Sequence, residues 1–268
     1  MNIVICVIAK NENRYIKNFC DYHLSLGFDH IYIFDNNDIP EIHNVIQNSS
    51  KITVKPFKTN IYTQKILYNT FIKNYDYDWC AFIDVDEFIT LNQHKDIHDF
   101  INTFDDSVGG IKLFEHVYGD DNLIYPVDIN IPVYDRIKTI STKYPKYFCK
   151  IFLRKNKKAM CLNAHCFYTD KYIVFCDNTV EPNLDKLHYK SDEIIDSVAY
   201  IRHYRTKTCS EFCEQKLGLT RVFCTNYTKS KDYYFMTNEY TEEKDKFIDE
   251  YMKIHKYNME VTNVSKSS

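Results

Sequence analysis

Cys80-Ala81-Phe82-Ile83-Asp84-Val85-Asp86-Glu87-Phe88-Ile89 is an apolar, β-prone run broken by three acids. Side chains alternate faces along a strand, so a strand ending here points Asp84 and Asp86 the same way. Carboxylates at the end of a buried strand are unfavourable unless something positive meets them. A hard divalent cation, Mn²⁺ or Mg²⁺, meets that need, because it takes carboxylate oxygens and shares its shell with substrate phosphates. Open α/β sheets bind ligands at the carboxyl ends of their strands. The stretch therefore predicts a metal–phosphate site on the rim of a central sheet.

Upstream, strand and helix signals alternate. Residues 3–8 are continuously apolar, as a buried parallel strand requires. Asn11 or Asn13 can cap a helix that runs to about residue 26 and stops at Gly27. A second strand covers residues 31–34, a short helix 41–47, and a third strand 52–57, near an edge because of Pro56. A helix over 61–75 and a strand over 79–84 follow. Four such β-α units predict an α/β fold with a mostly parallel sheet and right-handed crossovers. The polar clusters Lys10-Asn11-Glu12, Asp35-Asn36 and Asp84-Val85-Asp86 all follow strands, hence share one rim.

Downstream the pattern loosens. A helix is expected over 94–104, a strand over 110–117, short strands and loops to 180, a strand over 199–204 and a helix over 210–217. Residues 240–256 read as a charged helix and the last ten as disordered. Expected boundaries are one domain over 1–230, its nucleotide-binding half ending near 105, and a helix with tail over 231–268.

The net charge of −3 gives no global attraction for nucleic acid. Ten cysteines include no Cys-x-x-Cys pair, which argues against a zinc site or a disulfide framework. The chain opens directly on a strand, with no signal peptide or membrane span visible, so a cytoplasmic setting is expected. Peripheral membrane contact through the charged helix is a minor alternative to its packing on the body.

Several segments, in order and sensibly spaced, resemble family 92-type glycosyltransferases and their family 2-like relatives. They are Ala9-Lys10-Asn11-Glu12, Tyr22-His23 with Gly27, and residues 31–36 ending in Asp35-Asn36. Gln64, Tyr68-Asn69, residues 79–88, Tyr118-Gly119, and His203-Tyr204-Arg205-Thr206-Lys207 with Glu211-Phe212 continue the pattern. The resemblance covers about residues 2–220. It implies a GT-A fold, a nucleotide-sugar donor with UDP the more common nucleotide, a glycan or glycolipid acceptor, a divalent metal, and inversion at the anomeric carbon. The chain departs from the pattern at Arg202, where Asn is usual, and at Asp120 and Asp121, where small polar residues are usual.

By this resemblance Asp84 and Asp86 hold the metal, with Asp84 also facing the ribose. Ala9 and Asn11 meet the base and ribose, and Asp35 accepts a hydrogen bond from the base. Asn11 serves equally as a helix cap. Gln64 is preferred over Asn69 for the donor. His165 or His203 completes the metal shell, with a core histidine the alternative for His165. Arg205 and Lys207 clamp the diphosphate. Inversion needs a carboxylate base for the acceptor hydroxyl. Asp121 is preferred, then Asp120, then Glu115; the alternative for Gly119-Asp120-Asp121-Asn122 is a plain turn. Two other functions stand beside transfer. One is a haloacid-dehalogenase-like phosphatase with Asp84 as nucleophile. The other is a non-catalytic nucleotide-sugar-binding protein.

Overall fold

The computed structural model describes residues 1–46, 49–58, 63–144, 147–184, 186–217 and 231–264. The N-terminal part alternates β1 (Ile3–Ala9), α1 (Ile16–Ser25), β2 (His30–Asp35), α2 (Ile42–Val45), β3 (Ile52–Pro56), α3 (Thr63–Asn74) and β4 (Trp79–Phe82). Then come β5 (Glu87–Leu91), α4 (Ile97–Ile101), β6 (Val108–Val117), α5 (Val133–Arg136), β7 (Cys149–Arg154), β8 (Met160–Asn163), β9 (Cys166–Tyr168), β10 (Tyr172–Phe175) and β11 (Ala199–His203). The chain ends with α6 (Cys209–Gln215), α7 (Lys231–Phe235) and α8 (Glu242–Val264).

The main sheet has the order β3-β2-β1-β4-β7-β6-β11-β5, with β10 beside β6. The strands β3, β2, β1 and β4 are mutually parallel, as four β-α units require. Pro56 lies on the edge strand β3, where its missing N–H removes no interior ladder bond. The strand β7 runs antiparallel between β4 and β6, and β5 runs antiparallel to β11.

Alternation on β7 divides the core. Ile151 and Leu153 join Leu67, Tyr68 and Phe71 of α3 and Phe167 of β9 in one cluster. Phe152, between them, faces the other side, stacks on Phe28 and meets Phe100 edge-on. Helix α1 buries Ile16, Phe19, Cys20 and His23. It stops at Gly27, whose φ of 101° lies in the left-handed region open to glycine.

The chain divides into two compact units, residues 1–116 with 145–203, and 117–144 with 204–268. The first contains every strand of the main sheet save the last residue of β6. In the second, Cys209, Phe212 and Cys213 of α6 pack with Tyr233, Tyr234 and Ile248 of α7 and α8. Glu211 is buried against Arg136 in a bidentate ion pair.

Several elements differ from expectation. Neither Asn11 nor Asn13 caps α1; it starts one residue after Tyr15, with no side-chain cap. The helix expected over 94–104 is only Ile97–Ile101, started by Asp96, whose carboxylate accepts from the Asp99 N–H. The strand expected to reach residue 84 ends at Phe82, because the chain turns at Val85 and Asp86 to begin β5. The charged helix continues to Val264, and residues 265–268 of the expected tail lie outside the described residues. So do residues 145 and 146 of the Tyr- and Lys-rich segment near Tyr144. The nine described cysteines are free and buried.

Candidate active site

The turn between β4 and β5 is tied by its own acid. The Glu87 N–H donates to the Asp84 carbonyl at 3.1 Å, and the Asp84 N–H donates to Glu87 Oε2 at 2.8 Å. This turn sends the two aspartates to different partners, so the strand-alternation argument does not describe them. Asp84 Oδ1 accepts from Gln64 Nε2 at the start of α3, at 2.8 Å. Asp84 Oδ2 lies 2.6 Å from Lys150 Nζ, which comes from β7. Lys150 also sits 3.1 Å from Glu87 Oε1. Asp86, one turn position further on, is buried with its Oδ1 3.6 Å from His203 Nε2.

Strand pairing explains why His203 is there. The antiparallel register of β5 and β11 sets His203 opposite Glu87, beside Asp86. From β6, Glu115 Oε2 meets His203 Nδ1 at 2.8 Å. In the neutral ring this bond places the proton on Nδ1 and leaves the Nε2 lone pair toward Asp86. The other oxygen of Glu115 is 3.6 Å from His165 Nδ1, which is 3.0 Å from the Cys149 carbonyl. Asp86, Glu87 and His203 each offer a ligand atom, and these atoms lie within 4.8 Å of one another.

The electrostatics follow from burial and partners. Burial pushes the Glu87 carboxyl well above its usual range, with Lys150 opposing and the neighbouring acids adding. Burial also works against the charged form of Glu115, but the His203 hydrogen bond and charge win and bring it down to about 2. Burial disfavours the Lys150 ammonium, yet Asp84, Glu87 and Glu115 hold its pKa well above the ordinary lysine value. Burial and the nearby Lys150 charge lower the His165 pKa, with Glu115 opposing.

Four carboxylates thus face one lysine and two histidines. The buried Oε1 of Glu115 has no hydrogen-bond partner, and that of Glu87 has only its ion pair with Lys150. Surplus negative charge and an orphaned acceptor are a poor resting arrangement by themselves and a good one around a divalent cation. The donor set of two carboxylates and an imidazole suits Mn²⁺ or Mg²⁺ chemistry.

The other expected residues have different settings. Asp35 accepts from the Asn37 N–H, Asn37 Nδ2, the Glu41 N–H and the Ile42 N–H, at 2.8–3.0 Å. Those four bonds fill its acceptor sites, so it clamps its own loop and has none left for a base. Asn37 in turn accepts from the Asn11 N–H at 2.7 Å, holding Asn11 at φ 59°. Asn11 is exposed, one residue past the exposed Lys10, and the Ala9 carbonyl accepts from the Asn36 N–H at 2.8 Å. Asn69 is bonded both ways to the backbone of Cys161, so of the pair only Gln64 reaches the acid turn.

In the second unit Lys207 is fully buried, with Nζ 3.0 Å from Gln215 Oε1, a placement that points it into α6 rather than at a diphosphate. Arg205 lies between the rings of Tyr144 and Tyr233, 4.5 and 4.2 Å from their centres. Asp120 is buried on Lys244 Nζ at 2.7 Å and accepts from Tyr234 Oη, which removes it as a base. Asp121 accepts from the Lys138 and Thr139 N–H groups at 2.7 and 2.9 Å, with φ 50°.

Sequence reasoning missed Lys150 and gave Glu87 only a loop-fixing part. The available signal was a lysine inside the apolar run Cys149-Lys150-Ile151-Phe152, since a buried lysine requires acids. Lys112, equally buried on Glu181, shows that the signal marks an ion pair and not a site.

A parallel-sheet rim carrying clustered acids, a histidine and a buried lysine is where an open α/β sheet takes a ligand. The model of glycosyltransferase family 92 matches residues 2–253, and the chain belongs to that family, with the GT-A fold. The phosphatase alternative falls with this membership. A glycosyltransferase family 92 protein of Ricinus communis is 25% identical over 128 residues, 44% of this chain and 23% of the relative. One of Oryza sativa subsp. japonica is 21% identical over 125 residues, 44% of this chain and 21% of the relative. The chain therefore spans less than a quarter of the length of these relatives. Among solved structures, S. aureus TarS 1-349 in complex with UDP is 13% identical, with 95% of this chain and 72% of that one covered and a TM-score of 0.39. Mannosyl-3-phosphoglycerate synthase from Rubrobacter xylanophilus is 9% identical, with 58% and 53% covered and a TM-score of 0.36. No described helix is long and apolar enough to cross a membrane.

Proposed function

We propose that the chain transfers a sugar, a hexose, from a nucleoside-diphosphate donor to a hydroxyl of a glycan or glycolipid, with inversion and with a divalent metal. UDP is the donor nucleotide we assign, as the family implies. The observation that carries the reading is the convergence of Asp86, Glu87 and His203 at the carboxyl end of β4. Asp86 and His203 would hold the ion with Glu87 behind them, and Asp84 would face the donor. When bound, the ion supplies positive charge that offsets what develops on the departing diphosphate.

The chain's own residues do the rest. Glu115 fixes the His203 ring so that its Nε2 lone pair is presented. Gln64 and Lys150 hold the Asp84 carboxylate in one orientation. Asn11, set at positive φ by Asn37, offers an exposed amide on the same rim. Asp121 is the acid we assign to the acceptor proton. Its two backbone hydrogen bonds hold the carboxylate in place and leave acceptor sites over.

A thermal-shift screen of nucleotides tests this reading. UDP with Mn²⁺ should raise the midpoint, UDP or Mn²⁺ alone should not, and Asp86→Ala should erase the response. Asp121→Asn should keep the response and lose transfer. A response to UDP that ignores metal would remove the ion from the reading. Unchanged turnover in Asp121→Asn would remove Asp121. Metal-dependent release of sugar from a UDP-sugar separates an enzyme from a protein that only binds one.

A further inference from the structure

On α3 and the turn joining β7 to β8, Lys65, Lys73, Lys157 and Lys158 line an open groove of about 730 Å³. Lys158 is met by Asp170 at 3.2 Å. Lys65, Lys73 and Lys157 are exposed, and among the described residues no acid stands within ion-pair distance of them. This charge is concentrated on a chain whose net charge is −3. Between the lysines the groove presents apolar side chains. Ile66 and Met160 are each 45% exposed. Tyr168, also 45% exposed, is paired with Met160 across the β8–β9 hairpin and so shares its face.

We propose that this face docks the protein on an anionic lipid bilayer. Charge complementarity supplies the first argument, since lysines near an acidic leaflet each add to binding. The apolar residues supply the second. Isoleucine, methionine and tyrosine gain by entering the headgroup region, while a soluble polyanion gives them nothing. Lysine stems lie along such apolar surface with their ammonium groups reaching to phosphate. The groove and the acid turn share α3, because Gln64, one residue before Lys65, holds Asp84. Docking would therefore bring the rim of β4 near lipid headgroups. The inference rests on the exposed face alone and not on the transferase reading.

The test is sedimentation of the full chain with phosphatidylcholine vesicles, with and without phosphatidylglycerol. Binding should need the anionic lipid and weaken as salt rises. Lys65→Gln, Lys73→Gln and Lys157→Gln should each lower partitioning about fivefold. Ile66→Ser with Met160→Ser should lower it several-fold at constant salt. All five positions are solvent-exposed, and an unchanged melting midpoint certifies each variant. Equal binding to neutral vesicles, or none to either, overturns the proposal. So does capture on a heparin column that follows the lysines while the apolar double variant binds vesicles normally, which would make the face a soluble-polyanion site. Concentration-dependent self-association abolished by the same changes would also overturn it, in favour of a second copy as the occupant.

Discussion

Both units bury acids in matched pairs, Glu181 with Lys112 in the first among them, but the turn after β4 neutralises its acids differently. In the second unit each buried acid among the described residues has its own cation: Glu211 has Arg136, and Asp120 has Lys244 with Tyr234 beside it. At the turn after β4, Asp84, Asp86, Glu87 and Glu115 share Lys150, His203 and His165. A matched pair is a structural device whose removal leaves an uncompensated charge. An unmatched cluster is strained until a further cation arrives, and it can give up one acid cheaply. We take that contrast to separate acids that hold the fold from the acids proposed to hold a ligand, although sequence alone shows only Asp and Glu in both places.

The largest effect should come from breaking a matched pair. Arg136→Met leaves the buried Glu211 carboxylate without its cation, with Thr208 still donating to it, and urea unfolding should show a loss of about 3–5 kcal/mol. A loss below about 1 kcal/mol would mean that the pair does not anchor α6. Asp86→Asn should do the opposite. Its unfolding free energy without ligand should stay within about 1 kcal/mol of the parent. It should forfeit the stabilisation by Mn²⁺ and UDP, which at a hundredfold excess over Kd is worth about 2.7 kcal/mol. Strong destabilisation of the unliganded variant would place Asp86 with the structural acids.

Acid titration sharpens the comparison further. His203 keeps the folded Glu115 at about 2, below the ordinary glutamate value of about 4.3. A depressed folded pKa means stability present above the unfolded value and lost as pH falls. Glu115→Gln still accepts from His203 and should flatten the loss of stability between about pH 4.5 and 2. An unchanged acid limb would show that Glu115 is not held low. The smallest effect belongs to Asp35, an acid satisfied by N–H groups with no cation at all. Asp35→Ala should cost about 1–2 kcal/mol and leave the nucleotide-induced shift intact. A lost shift would return Asp35 to the donor.

Much was legible because it is local. The run of residues 3–8 reads as a buried strand and forms one, and Pro56 did lie on an edge. Gly27 did end α1 at positive φ. The acids after β4 stood out because carboxylates next to an apolar strand need a reason. Helix starts were less legible. Asn11 and Asn13 have the chemistry of caps, but Asn37 takes the Asn11 N–H and α1 begins later. Asp35 carries an acceptor suited to a base and Lys207 a cation suited to a diphosphate, yet their own neighbours satisfy them first.

The sequence by itself determined the β-α repeat, the parallel front of the sheet and the position of the acid turn, since each depends on side-chain period and on residues close in the chain. Only the tertiary structure decided which histidine stands beside Asp86. That choice depends on the register of β11 against β5, which brings His203 opposite Glu87, and on β6 and β7 delivering Glu115 and Lys150 to the same corner. Pairing between strands far apart in sequence is set by how whole faces pack, and no local pattern encodes it.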